Sequence, residues 1–340
     1  MIDLKIVNVK KIGIFRALQL GDLLCSVPAI KAIRHAYPNA EITLIGMLWA
    51  KGFVERFSHY IDRFIAFPGY PGFPEQEINP PAIVSFLSDM QREKFDLVLQ
   101  MQGNGTIANS LIMLFGARSV AGFHQHGNYR PNSSLFVEYS MELHEIERHL
   151  KLVKHLNIPY KGKELEFPLT KKDWNDYEDL HLPLEPHYYV CVHPGSRGMS
   201  RRWPAAYFAT LADLCASYGL QVIITGVKEE LEVAEEVMTH MKYQAINTTG
   251  RTTMGSVGCL LKNAALLISN CTGVSHVASA LGTPGIIISL DGESQRWASL
   301  NKSLHKSFDW TRKTDFDEVC IYTDGLLKKI TQADILANKA

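Results

Sequence analysis

Residues 269–276 read S-N-C-T-G-V-S-H, directly after the apolar run A-A-L-L-I at 264–268 and directly before V-A-S-A-L-G-T-P, which leads into a second apolar run at 285–290. That order predicts a strand, a tight polar turn, a short helix and another strand. The backbone amides of the turn and the open N-terminus of the helix then face outward at the carboxyl edge of a sheet, where anions bind. A second turn with the same placement lies near the start of the chain, at Leu20-Gly21-Asp22, just after the run I-G-I-F-R-A at 12–17.

The chain has 340 residues, of which 46% are hydrophobic. That is more than one core usually accommodates, so two domains of roughly 150 residues are expected. Lys plus Arg equals Asp plus Glu at 35 each. No global field therefore recruits nucleic acid or an anionic membrane, and a polyanion has to be met by a local patch. The six cysteines are scattered without a C-x-x-C pair or metal spacing, several inside apolar runs, as reduced core residues are. The N-terminus carries no apolar stretch of signal length, and no run approaches the roughly 18 residues of a membrane span. The expectation is a soluble, reduced, cytoplasmic protein.

Apolar runs of four to six residues alternate with helix-period segments, the pattern of parallel sheets with crossover helices. In the first half the strands are expected at 12–16, 42–46, 63–67, 96–101 and 119–123, and the helices at 27–37, 49–59, 82–93, 106–115 and 141–156. Residues 68–81, with five prolines and two glycines, read as a long loop. The second half restarts with strands at 188–192, 221–225, 244–247, 266–270 and 285–290, and helices at 204–218, 228–241 and 254–263. This gives a Rossmann-like domain over 1–165, a linker at 166–186 rich in Pro, Lys and Glu, and a second Rossmann-like domain over 187–325.

In L-G-D-L-L-C-S-V-P-A, Gly21 is expected to allow a tight turn that presents Asp22 at the mouth of a helix. A carboxylate there can accept a proton from a substrate hydroxyl, or simply cap the helix; both readings stand. The loop V-H-P-G-S-R-G-M-S-R-R-W-P at 192–204 gathers Gly195, Ser196, Arg197, Gly198, Ser200, Arg201 and Arg202 within eight residues, with Pro204 in the first turn of the next helix. These are the ingredients of a pyrophosphate cradle, favoured here over a merely solvated basic loop.

Four weaker signals carry competing readings. G-N-G-T-I-A at 103–108 has the form G-x-G-x-x-A, but no acid ends the following strand at Phe123 to hold a ribose, so Gln102 and Gly103 are read as turn or acceptor-side residues. Asp315-Phe316-Asp317 is a D-x-D that opens a helical stretch, where acids are expected, so a helix start is preferred to a manganese site. His124 and His126 lack further ligands and read as loop histidines, so no metal is expected. Trp49, Phe53 and Phe57 form a helical stripe flanked by Lys51 and Arg56, read as a core face with a bilayer contact as the alternative.

Three segments in this order resemble the heptosyltransferases, family 9 of the glycosyltransferases: L-G-D followed by V-P-A-I-K-A-I-R-H-A-Y-P-N-A-E-I-T, the loop H-P-G-S-R…R-R-W-P, and S-N-C-T-G-V-S-H-V-A-S-A-L-G-T-P. H-E-I-E-R-H-L-K-L-V at His144 and G-E-S-Q-R-W-A at Gly292 are fainter matches, and the likeness spans roughly residues 11 to 300. The resemblance implies an α/β GT-B-like architecture, two Rossmann-like domains whose parallel sheets face each other across a cleft. The N-terminal domain would bind the acceptor and the C-terminal one a nucleotide sugar, and a C-terminal helix at 326–340 would pack back on the first domain. The implied reaction is inverting transfer, without metal or cofactor, from a nucleotide-diphosphate sugar to a hydroxyl of a glycan or lipid-linked glycan such as lipopolysaccharide, with peripheral contact at the inner face of the cytoplasmic membrane.

By matching position, Asp22 resembles the catalytic base, while Ser196, Arg197, Arg201, Thr272, Gly273 and His276 resemble donor phosphate and nucleotide contacts. Arg201 falls where family members commonly have lysine, which keeps the cation and adds bidentate geometry. Cys271 falls where they usually have Asp, and a thiol neither carries that charge nor accepts hydrogen bonds comparably. Two rival readings are a sugar-nucleotide epimerase or hydrolase on the same fold, and a catalytically degenerate nucleotide-binding family member.

Overall fold

Strands that are apolar at nearly every position are stable only when both faces of their sheet are covered, so the elements between them must be helices packed on either side. The computed structural model describes residues 5–337. The chain divides into two compact units, Met1–Leu165 and Glu166–Ala340.

The first unit runs β1 (Lys11–Phe15), α1 (Leu20–Ala36), β2 (Glu41–Gly46), α2 (Lys51–Arg56), β3 (Arg63–Ala66), α3 (Pro80–Glu93), β4 (Leu97–Gln100), α4 (Ala108–Met113), β5 (Ser119–His124), β6 (Phe136–Glu138) and α5 (Glu145–His155). Its sheet is parallel throughout, in the order β3-β2-β1-β4-β5-β6. The second unit runs α6 (Lys171–Glu178), β7 (Tyr189–His193), α7 (Ala205–Ser217), β8 (Gln221–Ile224), α8 (Leu231–His240), β9 (Ala245–Asn247), α9 (Met254–Asn263), β10 (Leu266–Asn270), α10 (Gly273–Leu281), β11 (Gly285–Ser289), α11 (Ser294–Trp297), β12 (His305–Asp309) and α12 (Phe316–Ala337). Its sheet is also parallel, ordered β12-β11-β10-β7-β8-β9. Numbered within its own unit, each sheet has the doubly wound order 3-2-1-4-5-6. Each reverses direction once, between β1 and β4 and between β7 and β10, and the turns after those four strands are where ligands of such folds bind.

Several elements differ from expectation for definable reasons. α1 starts at Leu20 rather than 27, because the Asp22 carboxylate accepts from the Gln19 amide (3.3 Å) and fixes the helix start there. Pro28, expected in the first turn, lies inside the helix; the lost backbone bond is offset by burial of Leu23, Leu24, Val27, Ile30 and Ile33. Residues 166–186 are not a plain linker: α6 occupies part of them, capped by reciprocal bonds between Thr170 and Asp173 (3.2 and 2.7 Å). It packs on α9 so closely that a Cβ at Gly255 would stand 1.7 Å from the Asp173 carboxylate. The boundary expected at 325 falls inside the single helix α12, whose Val319 and Leu327 belong to the second unit's core. Residues 338–340 lie outside the described residues. Phe53 and Phe57 are fully buried with rings 4.4 Å apart, so that stripe is core. Among the described residues no helix is long and apolar enough to cross a membrane.

At the amino edge of the first sheet, Glu93 at the end of α3 meets Arg63 of β3 (2.9 Å) and Lys11 of β1 (2.8 Å). The Arg63 hydrogen bond holds the Glu93 carboxyl down at about 2, with burial opposing. A folded-state value below the unfolded one, about 4.3, contributes stability at higher pH that is lost as pH falls through the folded value. Glu93→Gln is therefore expected to lower the urea midpoint near neutral pH, with the gap from wild type closing between about pH 4.3 and 2; a gap independent of pH would show that the pair contributes no linked stability.

Candidate functional site

In the first unit the switch point lies between β1 and β4, and a fully buried arginine organises it. Arg16 follows β1 and donates from Nε to the Asp22 carbonyl (2.9 Å), from Nη1 to the Met101 carbonyl, and from Nη2 to Glu145 Oε1 (3.0 Å). One side chain thus ties together the strand end, the first turn of α1, the loop after β4 and the start of α5. Asp22 Oδ1 stands 3.8 Å from Arg16 Nη2, and the side chain remains 21% exposed. The capping geometry is present, and the carboxylate is still reachable from solvent. Gly21 lies within this first helical turn and has no positive φ, so the tight turn expected of it is replaced by helix. Gln102 is buried, and its Oε1 accepts from the Ala17 amide (2.8 Å), linking the loops after β4 and β1. Gly103 adopts a φ of +58° at the open edge, with nothing within 4 Å of where a Cβ would stand.

The second unit's switch point is organised by Asn270, the last residue of β10. Its Oδ1 accepts from the Trp203 amide (3.0 Å), and its Nδ2 donates to the Pro194 carbonyl (2.8 Å) and the Gly195 carbonyl (3.3 Å). The start and the end of the loop H-P-G-S-R-G-M-S-R-R-W are both held by one amide. Trp203, fully buried among Tyr207, Phe208, Trp310 and Phe316, anchors the far end. Gly195 passes so close to the buried Glu230 that a Cβ would lie 2.1 Å from its carboxyl carbon, which forces glycine there. Ser196 is buried, its carbonyl accepts from Arg202 Nε (3.0 Å), and its hydroxyl has no hydrogen-bond partner among the described residues. Arg197 and Arg201 are exposed, and Arg201 Nη1 stands 3.7 Å from Asp291 Oδ2.

Directly beside this loop, Thr272 with extended backbone precedes Gly273, the first residue of α10. The leading amides of a helix have no carbonyl one turn earlier to bond, so they point outward. His276, in the same turn, is buried, its ring set edge to face against Trp297 at 6.1 Å. Cys271 is half-buried, and its thiol is pushed up to about 12, by burial first and then by Asp291, with Arg201 opposing. It is a neutral thiol near pH 7, where the resemblance leads one to expect a carboxylate. His193, at the end of β7, bonds Thr225 Oγ1 (3.0 Å) and stands 3.7 Å from Glu230; burial pushes its pKa down and Glu230 opposes that.

Among the weaker signals, Asp315 accepts from the Glu318 amide (3.0 Å) at the start of α12, so the D-x-D is a helix cap. Sequence reading misses Arg16, Glu145, Glu230, Asn270 and Asp291. Arg16 and Asn270 stand inside quoted motifs, as polar residues ending apolar runs, and that is the available signal. Their partners lie 129 and 76 residues away, which no local pattern reveals.

Two parallel sheets of Rossmann-like order, one in each unit, define an α/β protein of GT-B-like fold. The profile of glycosyltransferase family 9 (heptosyltransferase) matches residues 83–324, and the chain belongs to that family, a family of transferases. It is 21% identical to the lipopolysaccharide core heptosyltransferase OpsX of Haemophilus influenzae, over 82% of this chain and 78% of that one. To lipooligosaccharide heptosyltransferase 2 of Haemophilus ducreyi it is 29% identical, over 83% of each. Its fold matches that of the E. coli ADP-heptose lps heptosyltransferase II with a TM-score of 0.73, at 16% identity, covering 97% of this chain and 100% of that one.

If Asn270 holds the loop between β7 and Trp203, Asn270→Ala orphans the Trp203 amide and the Pro194 carbonyl. Each such buried group costs about 1–3 kcal/mol, so urea unfolding should show a loss of about 2–6 kcal/mol; a loss within error would mean the loop holds itself.

Proposed function

We propose that this transferase moves a heptose from a nucleotide-diphosphate donor to a hydroxyl of a lipopolysaccharide-type surface glycan, in one inverting displacement with no step through a metal ion. The observation that carries this reading is positional. Asp22, Ser196, Arg201, Thr272 and Gly273, each matched by sequence to a role in that reaction, all stand at or beside the two sheet reversals. The similar proteins are named lipopolysaccharide and lipooligosaccharide heptosyltransferases, and the name of the E. coli enzyme includes ADP-heptose, which supports heptose as the sugar and ADP as the leaving group.

In this reading the first unit takes the acceptor and the second the donor. The acceptor oxygen attacks the anomeric carbon as its proton passes to an Asp22 carboxylate oxygen. The bond from the anomeric carbon to the β-phosphate oxygen breaks, and the nucleoside diphosphate leaves with that electron pair. The developing charge is met by the Ser196 hydroxyl, by Arg197 and Arg201, and by the amides at Thr272 and Gly273, with His276 in the same helical turn. Arg201 exchanges Asp291 for phosphate at small cost, because an ion pair as long as 3.7 Å with a solvent-exposed arginine contributes only about 0–1 kcal/mol. Gln102 and Gly103 border the acceptor side. The enzyme would work in the cytoplasm, peripheral to the inner membrane face where a lipid-linked acceptor is presented.

The magnitudes are sufficient. Modest enzymatic acceleration requires about 8 kcal/mol off the barrier. A general base supplies roughly 3–5.5 kcal/mol, and a helix N-terminus at most ~2. Positioning and the arginines supply the remainder.

The test is transfer from ADP-heptose to a lipopolysaccharide acceptor lacking core heptose. Asp22→Asn should lower kcat by about 10³-fold or more while its affinity for ADP, measured by calorimetry, stays within about threefold of wild type. Undiminished turnover by the variant overturns the base assignment; no transfer by wild type from any nucleotide heptose overturns the function.

A further inference from the structure

Arg16 has no exposed surface, so no substrate touches it, yet two of its four polar contacts are with the residue assigned as base. It holds the Asp22 carbonyl through Nε at 2.9 Å, and its Nη2 lies between Glu145 Oε1 at 3.0 Å and Asp22 Oδ1 at 3.8 Å. A buried guanidinium is tolerated only when paired and hydrogen-bonded. Glu145, equally buried, provides that pairing and shares its second oxygen with Arg148. Arg148 is in turn fixed by the Ser140 carbonyl (3.0 Å), the Leu143 carbonyl (3.1 Å) and the face of Tyr139, 4.2 Å away. The network is braced from α5, which packs along α1.

The charges matter more than the bonds. Two buried cations, Arg16 and Arg148, face two carboxylates, Glu145 and Asp22, and of these four only Asp22 reaches solvent. His149, 3.3 Å from Glu145, is held neutral, its pKa pushed down to about 4 by burial and by Arg16. His144, at the start of α5, accepts the Ile146 amide through Nδ1 (3.1 Å) and so also presents an unprotonated nitrogen. Among the ion pairs named here, a proton on Asp22 removes one of the two negative charges that face the buried Arg16 and Arg148.

We propose that Arg16 is a positioning residue for transfer: backed by Glu145 and Arg148, it fixes the first turn of α1 and keeps Asp22 ionised and aimed, ready to take the acceptor proton. This rests on Asp22 being the base. Asp22 Oδ2 accepts from the Gln19 amide, but a carboxylate has about four acceptor positions, so a proton can still be received while the group is held.

The test is the acidic limb of the kcat against pH profile, at saturating donor and acceptor, in two variants of opposite sign. Arg16→Gln removes the cation and should move the limb to higher pH by about one unit or more. Glu145→Gln leaves Asp22 alone against two arginines and should move it lower. Arg16→Lys, which keeps the cation but not the fork, should leave the limb in place while kcat falls about tenfold. The donor KM and the affinity for ADP should stay within about twofold in all three. A purely structural role would scale activity with the folded fraction, read by circular dichroism, and move no limb. Limbs that stay fixed, or shift in the same direction in both Gln variants, overturn the proposal. Should Arg16→Gln not fold, the Glu145→Gln limb alone decides. Asp22→Asn separates the two levels: if it is inactive while the limbs do not move, the base reading survives and the positioning role falls, whereas if it turns over normally the base reading itself falls.

Discussion

The Asn270 side-chain amide sits at the end of β10 and bonds three backbone groups of a loop that begins after β7. Strand order makes this possible, since β7 and β10 are neighbours across the reversal of the sheet. A loop of mixed glycine, serine and arginine has little to bury and would be poorly ordered by itself. Asn270 at one side and the Trp203 indole at the other close it over the sheet edge, leaving Gly195 pressed against Glu230, Ser196 buried, and the arginines outside. The first unit meets the same geometric need with a charge: Arg16, at the end of β1, reaches the loop after the neighbouring β4. Its partners must then be ionic, which draws Glu145 and Arg148 into the interior.

This difference in chemistry matches the difference between the two tasks proposed for the units. Beside the proposed pyrophosphate site, a neutral organiser adds no charge, and Arg197 and Arg201 stay exposed, where they would be free to move onto a ligand. Beside a general base, a charged organiser biases protonation. Cys271 fits the same logic: its thiol stays neutral near pH 7, and the carboxylate that acts on it first is Asp291, the group paired with Arg201. At this edge the carboxylate paired with the Arg201 cation is Asp291, in the loop after β11.

Much of this is legible in the sequence. The apolar runs mark ten of the strands, because a strand covered on both faces reads as uninterrupted Val, Ile and Leu. The edge strands β6 and β12, F-V-E and H-K-S-F-D, escape that reading because an edge strand needs no such run. Pro28 suggests a boundary that pushes the expected start of α1 too late, although the Asp22 cap lies in plain view. α6 hides within a Pro- and Lys-rich stretch, although T-K-K-D at 170–173 has the form of a reciprocal cap. The site motifs can be found because local chemistry defines them: a glycine- and arginine-rich loop, an acid at a helix start, a helix opening after a strand. The residues that hold those motifs in place cannot, since Arg16 with Glu145 and Asn270 with Trp203 are meaningful only once the sheets bring them together.

In the proposed reaction a hydroxyl deprotonated by Asp22 displaces the nucleoside diphosphate from the anomeric carbon in a single step. Its stereochemistry follows from the chemistry, because one direct displacement inverts the carbon it attacks. The decisive measurement is the anomeric configuration of the transferred sugar, read by nuclear magnetic resonance on the product of a single-anomer donor. A single displacement yields a product of opposite configuration to the donor. Retention would contradict it, since that outcome requires a second displacement or front-face attack, for which Asp22 as a simple base has no role.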